Sequence, residues 1–162
     1  MEQVQTPGTY QQWLELLGQM EKSRNPAPYA AALQQGTLCC SEQVRIRMEE
    51  RVLSAVNTML RRTTRWYTRK INEALEDGDY TCLTVQFYRL RRDLAPLRFY
   101  RNVSFLSSGF AAELDRQVCS ETARYWDHLL SSLKETASET HNSLLEEELL
   151  QLQRIRLDKD AH

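Results

Sequence analysis

The sequence predicts an all-α protein: a helical bundle with three long core helices, two short N-terminal helices and a C-terminal helical tail. Three observations carry this prediction. Residues 41–77 run without Gly or Pro, and Val44, Met48, Val52, Ala55, Val56, Met59, Trp66, Ile71 and Leu75 recur mostly at steps of three, four or seven, as one apolar face of a helix requires. Residues 80–94 and 108–140 repeat the pattern, and no segment shows persuasive period-two alternation. Five Gly and four Pro in 162 residues are too few for a protein built on tight β-turns. A long helix cannot cover its own apolar stripe, so other helices or another subunit must cover it.

The elements follow in order. Residues 1–8 read as a loose start ending at Pro7-Gly8. Thr9 is the expected N-cap of a first helix reaching about Glu21, with Tyr10, Trp13, Leu14, Leu17 and Met20 on one face. Asn25-Pro26-Ala27-Pro28 breaks it, and a second helix from Pro28 to Gln35 stops at Gly36, taken as the terminal residue that accepts positive φ. Ser41 caps the third helix, Gly78 ends it, and Asp79 caps a fourth running from Tyr80 to Leu94, with Tyr80, Leu83, Phe87, Leu90 and Leu94 inward. So short a connection makes the third and fourth helices antiparallel neighbours.

Pro96 stops the fourth helix, and 95–107 reads as an irregular connection rich in aromatic and Arg residues. Ser107 or Ser108 opens a fifth helix whose inward stripe is Leu114, Val118, Thr122, Trp126, Leu129, Leu133 and Ala137. Ser143 with Glu146 matches a capping box, so a sixth helix starts there or the fifth continues. Leu145, Leu149, Leu152 and Ile155 share one side of that stretch and lack an obvious intramolecular cover. One domain is expected over 1–140, with 141–162 as a helical tail.

Thr9-Tyr10-x-x-Trp13-Leu14, followed by Gln35-Gly36-Thr37 and a long helix, resembles a group of small, functionally uncharacterised helical bacterial proteins, over a span reaching about residue 135. The resemblance implies the helical fold and a variable tail at 136–162. It brings no activity with it.

Hydrophobic residues at 41% and charged residues at 27% are ordinary for a globular chain. No apolar run follows the acidic Met1-Glu2-Gln3, and the longest purely apolar stretch is Tyr29 to Leu33, far short of the roughly 20 residues that span a bilayer. A soluble, cytoplasmic protein with no membrane partner is expected. Cys39, Cys40, Cys82 and Cys119 lack the spacing of a redox pair or a zinc knuckle and read as reduced, inert thiols in or near the core. His128, His141 and His162 fall in no HExxH motif, and no Glu stands three residues before any of them. Asp127 and His128 are adjacent, so on a helix they point about 100° apart. There is no phosphate loop and no GxSxG elbow. The expectation is therefore no catalytic residue, no cofactor and no metal, and a protein that is not an enzyme.

Charge is distributed unevenly. Residues 41–101 carry thirteen basic and eight acidic groups, a net of +5, whereas 102–162 carry six and eleven, a net of −5. Opposite halves invite either intramolecular pairing or contact between copies. Seventeen of the twenty-one basic residues are Arg, which suits bidentate and stacked contacts better than Lys. Arg61, Arg65 and Arg69 recur every four residues opposite the Met59–Trp66 stripe, with Arg62 and Lys70 beside them. Arg89 and Arg92 on the fourth helix, then Arg98 and Arg101, complete a candidate anion or partner patch at matching levels along two neighbouring helices. Against it, Arg69 with Glu73 and Arg89 with Asp93 are spaced for i,i+4 pairing. The function read from these features is a non-enzymatic interaction module, regulatory or otherwise, acting through a protein partner or by self-association as a homodimer. The alternative is a nucleic-acid-binding protein using the Arg-rich face of 61–101.

Overall fold

Four of the helices begin where the sequence offers a side-chain oxygen to unpaired first amides. Thr9 accepts from the Gln12 amide at 3.2 Å while the Gln12 side chain returns to the amides of Thr9 and Gly8 at 3.2 and 2.8 Å. Ser41 accepts from Val44 at 3.4 Å, Ser107 from Phe110 at 3.3 Å, and Asn142 from Leu144 and Leu145 at 3.0 and 3.3 Å. The computed structural model describes residues 3–155, and among them the fold is an all-α helical bundle with no strand. The helices are α1 (Tyr10–Lys22), α2 (Ala27–Gln34), α3 (Glu42–Asp77), α4 (Leu83–Leu94), α5 (Ser108–Thr140) and α6 (Ser143–Leu152), with 3-10 turns at Tyr80–Cys82 and Ala95–Asn102. The expected tail partly lies outside the described residues, from 156 onward.

The chain clusters into two compact units, each made of two stretches. The first holds the residues up to Arg62 together with Asp93–Asp115, and the second holds Thr63–Arg92 with the residues from Arg116.

In the first unit, Trp13 is fully buried, meets Phe105 edge-on with centroids 4.9 Å apart, and donates its indole N–H to the Thr37 carbonyl at 3.0 Å. Its ring needs Gly36: a Cβ there would stand 2.7 Å from Trp13 Cζ2 and 2.9 Å from Pro7 Cγ. This corrects the reason expected for that glycine. Among the described glycines positive φ belongs to Gly78, at +71°, and Gly36 serves close approach instead. On α1 the buried set is Trp13, Leu16, Leu17 and Met20, so Leu16 takes the place expected for Leu14, which with Tyr10 is half-buried. The Glu21 carboxylate pairs with Arg51, and Glu49 accepts from the Ser107 amide at 3.1 Å, tying α3 to the start of α5.

The connection after α4 is also not what its composition suggests. Residues 95–102 form a 3-10 stretch kinked at Arg98 (φ −91°, ψ 19°), and Leu97, Phe99, Tyr100, Val103 and Leu106 are all buried. The aromatic residues Phe99 and Tyr100 of this connection are part of the first unit's core.

In the second unit, α3 buries Tyr67 and Ile71, while Trp66, expected inward, is 41% exposed. The reason is rotational. Beyond Met59 the covered positions advance by four, through half-buried Thr63 to Tyr67 and Ile71, and each such step turns roughly 40° around the helix. Trp66, seven after Met59, stays on the earlier line. The same unit buries Leu83, Phe87 and Leu90 of α4 and the expected α5 positions Val118, Thr122, Trp126, Leu129, Leu133 and Ala137. Phe87 packs edge-on to Trp126 at 5.0 Å, and the Thr122 hydroxyl is satisfied by the Val118 carbonyl at 2.9 Å.

Three local expectations change. Asp79 makes no backbone cap, and its carboxylate instead accepts from Thr81 Oγ1 and Cys82 Sγ at 3.0 and 3.2 Å. Helix α5 ends at a positive-φ His141 (φ 49°), and Asn142 rather than Ser143 caps α6. The edge formed by Leu145, Leu149, Leu152 and Ile155 is buried within the chain, with α6 packed on the 80–82 turn and Glu148 accepting from the Thr84 hydroxyl.

Two measurements check this packing. Phe87→Ala should lower the urea midpoint by an amount equal to about 3–5 kcal/mol, and a loss under about 0.5 kcal/mol would place α4 outside the core. Gly36→Ala should cost about 1–3 kcal/mol by overpacking against Trp13 and Pro7; an unchanged midpoint would show that the indole can move aside.

Candidate interaction surface

The Arg residues expected to share one patch divide between the two units and do different work. In the first unit Arg61 reaches back to the Asn57 carbonyl at 3.4 Å, and Arg62 donates to the Glu21 carbonyl. Arg101 grips Asp115 with both ends of its fork, Nε to Oδ1 and Nη2 to Oδ2, each at 2.7 Å, and Tyr100 donates its hydroxyl to the same Oδ1 at 2.9 Å. Burial pulls the Asp115 carboxyl upward. The hydrogen bonds from Arg101 and Tyr100, with the charges of Arg101 and Arg98, outweigh that pull and hold it below the usual range. Burial, and then donation to Asp115, pushes the Tyr100 phenol well above its usual value. This cluster fastens the kinked 95–102 stretch to α5, and it leaves Arg101 committed to Asp115.

In the second unit Arg65 and Arg69 are exposed and line a shallow surface cavity of about 510 Å³ together with Thr64, Thr68, Asn72, Glu73 and Glu76. Two guanidinium groups are thus matched by two carboxylates. The threonines are already engaged: the Thr64 carbonyl accepts from Thr68 at 2.8 Å and from Tyr125 at 2.9 Å, and the Thr68 and Tyr125 hydroxyls are 2.6 Å apart. Burial raises the Tyr125 phenol against the opposing hydrogen bond from Thr68. Glu73 pairs with Lys70 at 3.5 Å rather than with Arg69, and the Lys70 ammonium stands 4.9 Å from the centre of the exposed Trp66 ring. A balanced cavity of this kind attracts neither sign of ligand strongly.

The outward face of α4 is different in character. Leu83, Phe87 and Leu90 point inward, and the opposite line holds Val85, Tyr88, Arg89 and Arg92, all exposed, with Val85 at 46% and Tyr88 at 57%. Val85 and Tyr88 are neighbours at i,i+3 on one face. Arg89 and Arg92 are what a solvent-facing side carries, and the adjacent exposed Val85 and Tyr88 are what sets this face apart. Arg89 and Arg92 belonged to the expected patch, but Val85 and Tyr88 did not. The signal that could have found them is their position: 85, 88, 89 and 92 are i, i+3, i+4 and i+7 on the line opposite the core stripe.

The other chemistry-bearing residues stay apart. Cys40, Cys82 and Cys119 are half-buried, near the core as expected, whereas Cys39 is exposed. The Asp79 carboxylate, by hydrogen bond and by repulsion, raises the Cys82 thiol above its ordinary value. Asp127, His128 and His141 are exposed, and His162 lies outside the described residues. Among the described residues no group of three or more His, Cys, Asp or Glu is placed to hold a metal ion, and no helix is long and apolar enough to cross a membrane. Comparison with protein-family models, with curated proteins and with solved structures finds no match to this chain.

The Asp115 cluster makes a pH-dependent prediction. Its carboxyl is lowered on folding, so its contribution is complete above the unfolded value, about 3.9, and disappears as pH falls through the folded value. Asp115→Asn should therefore cost about 1–2 kcal/mol in urea unfolding at neutral pH, with the gap to wild type closing in acid. A gap independent of pH would mean that the charge of Asp115 does not hold the kinked stretch.

Proposed function

We propose that this chain is a non-enzymatic helical interaction module that docks a protein partner on the outward face of α4. The observation that carries this reading is the row of Val85 and Tyr88 beside Arg89 and Arg92, exposed opposite a buried stripe. A tyrosine and an arginine together on an accessible face are the residue types that dominate protein interfaces, because each offers large contact area and a polar handle. Trp66 with Lys70 above its ring adds a second exposed aromatic group in the same unit. The partner chemistry that fits is an acidic helix with an apolar side. Free cysteines favour a reducing compartment such as the cytoplasm.

Nucleic-acid binding through 61–101 is the competing reading and is weaker. Arg62 and Arg101 are spent on Glu21 and Asp115, and the Arg65–Arg69 cavity is balanced by glutamates. Photo-cross-linking from position 88 separates the two. A photoreactive phenylalanine analogue replacing Tyr88, used in an extract of the source cells, should give protein adducts that the same group at exposed Ser131 does not give. Nucleic-acid adducts would favour the competing reading, and adducts equal to those at Ser131 would remove the docking face.

A further inference from the structure

The outward line of α6 has the same spacing as that of α4 and the opposite chemistry. On α4 the exposed positions are 85, 88, 89 and 92; on α6 they are 143, 146, 147 and 150. Each set is i, i+3, i+4, i+7, so each covers two helical turns, roughly 10 Å of axis. The α4 line carries Val, Tyr and two Arg, whereas the α6 line carries Ser, two Glu and a Leu that is 63% exposed. Both helices already bury their other faces, Leu83, Phe87 and Leu90 in one case and Leu145, Leu149 and Leu152 in the other. Their outward lines are open to solvent and do not cover each other within one chain.

We propose that the partner on α4 is a second copy of this chain, whose α6 lies antiparallel along it; this rests on the docking reading above and names its occupant. Antiparallel alignment sets Val85 against Leu150, Arg89 against Glu146 and the Tyr88 hydroxyl against the Glu147 carboxylate, leaving Arg92 over Ser143. The parallel alignment instead puts Arg92 on Leu150 and Val85 on Ser143, matching a charge with an apolar side chain and an apolar side chain with a hydroxyl. One register therefore satisfies apolar and charged positions together. The contact also joins the positive middle of the sequence to its negative end, which carry +5 and −5. Two helical turns make a small contact, so association is weak and falls in the micromolar range or above.

Sedimentation equilibrium of the purified full chain, from about 1 to about 500 μM, should show a weight-average mass that rises above the monomer. Arg89→Glu and Glu146→Arg should each weaken association about five- to tenfold, since each sets like charges face to face. Leu150→Ser should weaken it as well. Because every copy carries both lines, the double variant R89E/E146R restores the opposite pairing and should recover near wild-type association. That recovery separates an interface from a folding defect. A wild type that stays monomeric across the range, single variants that associate normally, or a double variant that fails to recover would each overturn the proposal. If the wild type is monomeric and position 88 still cross-links to another protein, the docking reading survives and the occupant is wrong. If both experiments fail, both fall.

Discussion

Burial of Tyr67 sets which way the second half of α3 faces, and the chemistry of that half follows from it. With Tyr67 and Ile71 covered, the residues one and two positions before Tyr67 turn outward. Trp66 is thereby placed beside Lys70, and Arg65 and Arg69 line the open cavity. An aromatic ring of either residue could have filled the core. Covering the tyrosine leaves its larger neighbour exposed. Beside Tyr67, the Thr64 backbone carbonyl and the Thr68 hydroxyl bond to Tyr125 across the unit, whereas Trp66 is flanked by Arg65 and Arg69, whose guanidinium groups would lose their water if that side were covered.

The helices and most of their ends were legible because they depend on local chemistry. Thr9, Ser41 and Ser107 are capping residues by nature, and each caps. The whole α5 stripe, from Leu114 to Ala137, could be read from spacing alone. What escaped was decided at a distance. Gly36 is required by Trp13, twenty-three residues earlier in the chain, and no local rule distinguishes that need from a turn. The Trp13–Gly36 pair is thus a packing contact rather than a chemical site. Residues 95–106 looked irregular because the 3-10 stretch at 95–102, with Pro96, lacks the 3.6-residue period of an α-helix, although five side chains of the segment are buried. Asn142 took the cap from Ser143 by reaching two amides with one oxygen.

Legibility of the candidate surface was partial for a related reason. Arginine is visible in sequence, but its partner is not. Arg101 and Arg89 look alike in a charge count; one is clamped by Asp115 and the other stands on an open helix face. Asp115 is fourteen residues from Arg101 and on a different element. Charge runs therefore overstate how much of a basic stretch is available to a ligand. The apolar members of a surface are found the opposite way, by asking which large side chains stand where the period demands solvent. Val85 and Tyr88 answer to that question.

The interleaving of the two units bears on how the chain can form during synthesis. The first unit needs Asp93–Asp115, and the second begins at Thr63 yet needs α5 and α6. Neither is completed by any contiguous stretch that emerges early. When Asp77 leaves the ribosome, α3 is whole, but the later stretches that complete the two units, 93–115 and the residues from Arg116, do not yet exist. A growing chain must therefore hold an apolar helix without its final cover until more than a hundred residues exist. Nascent-chain protection, more than thermodynamic stability, is where such a topology is most exposed to error.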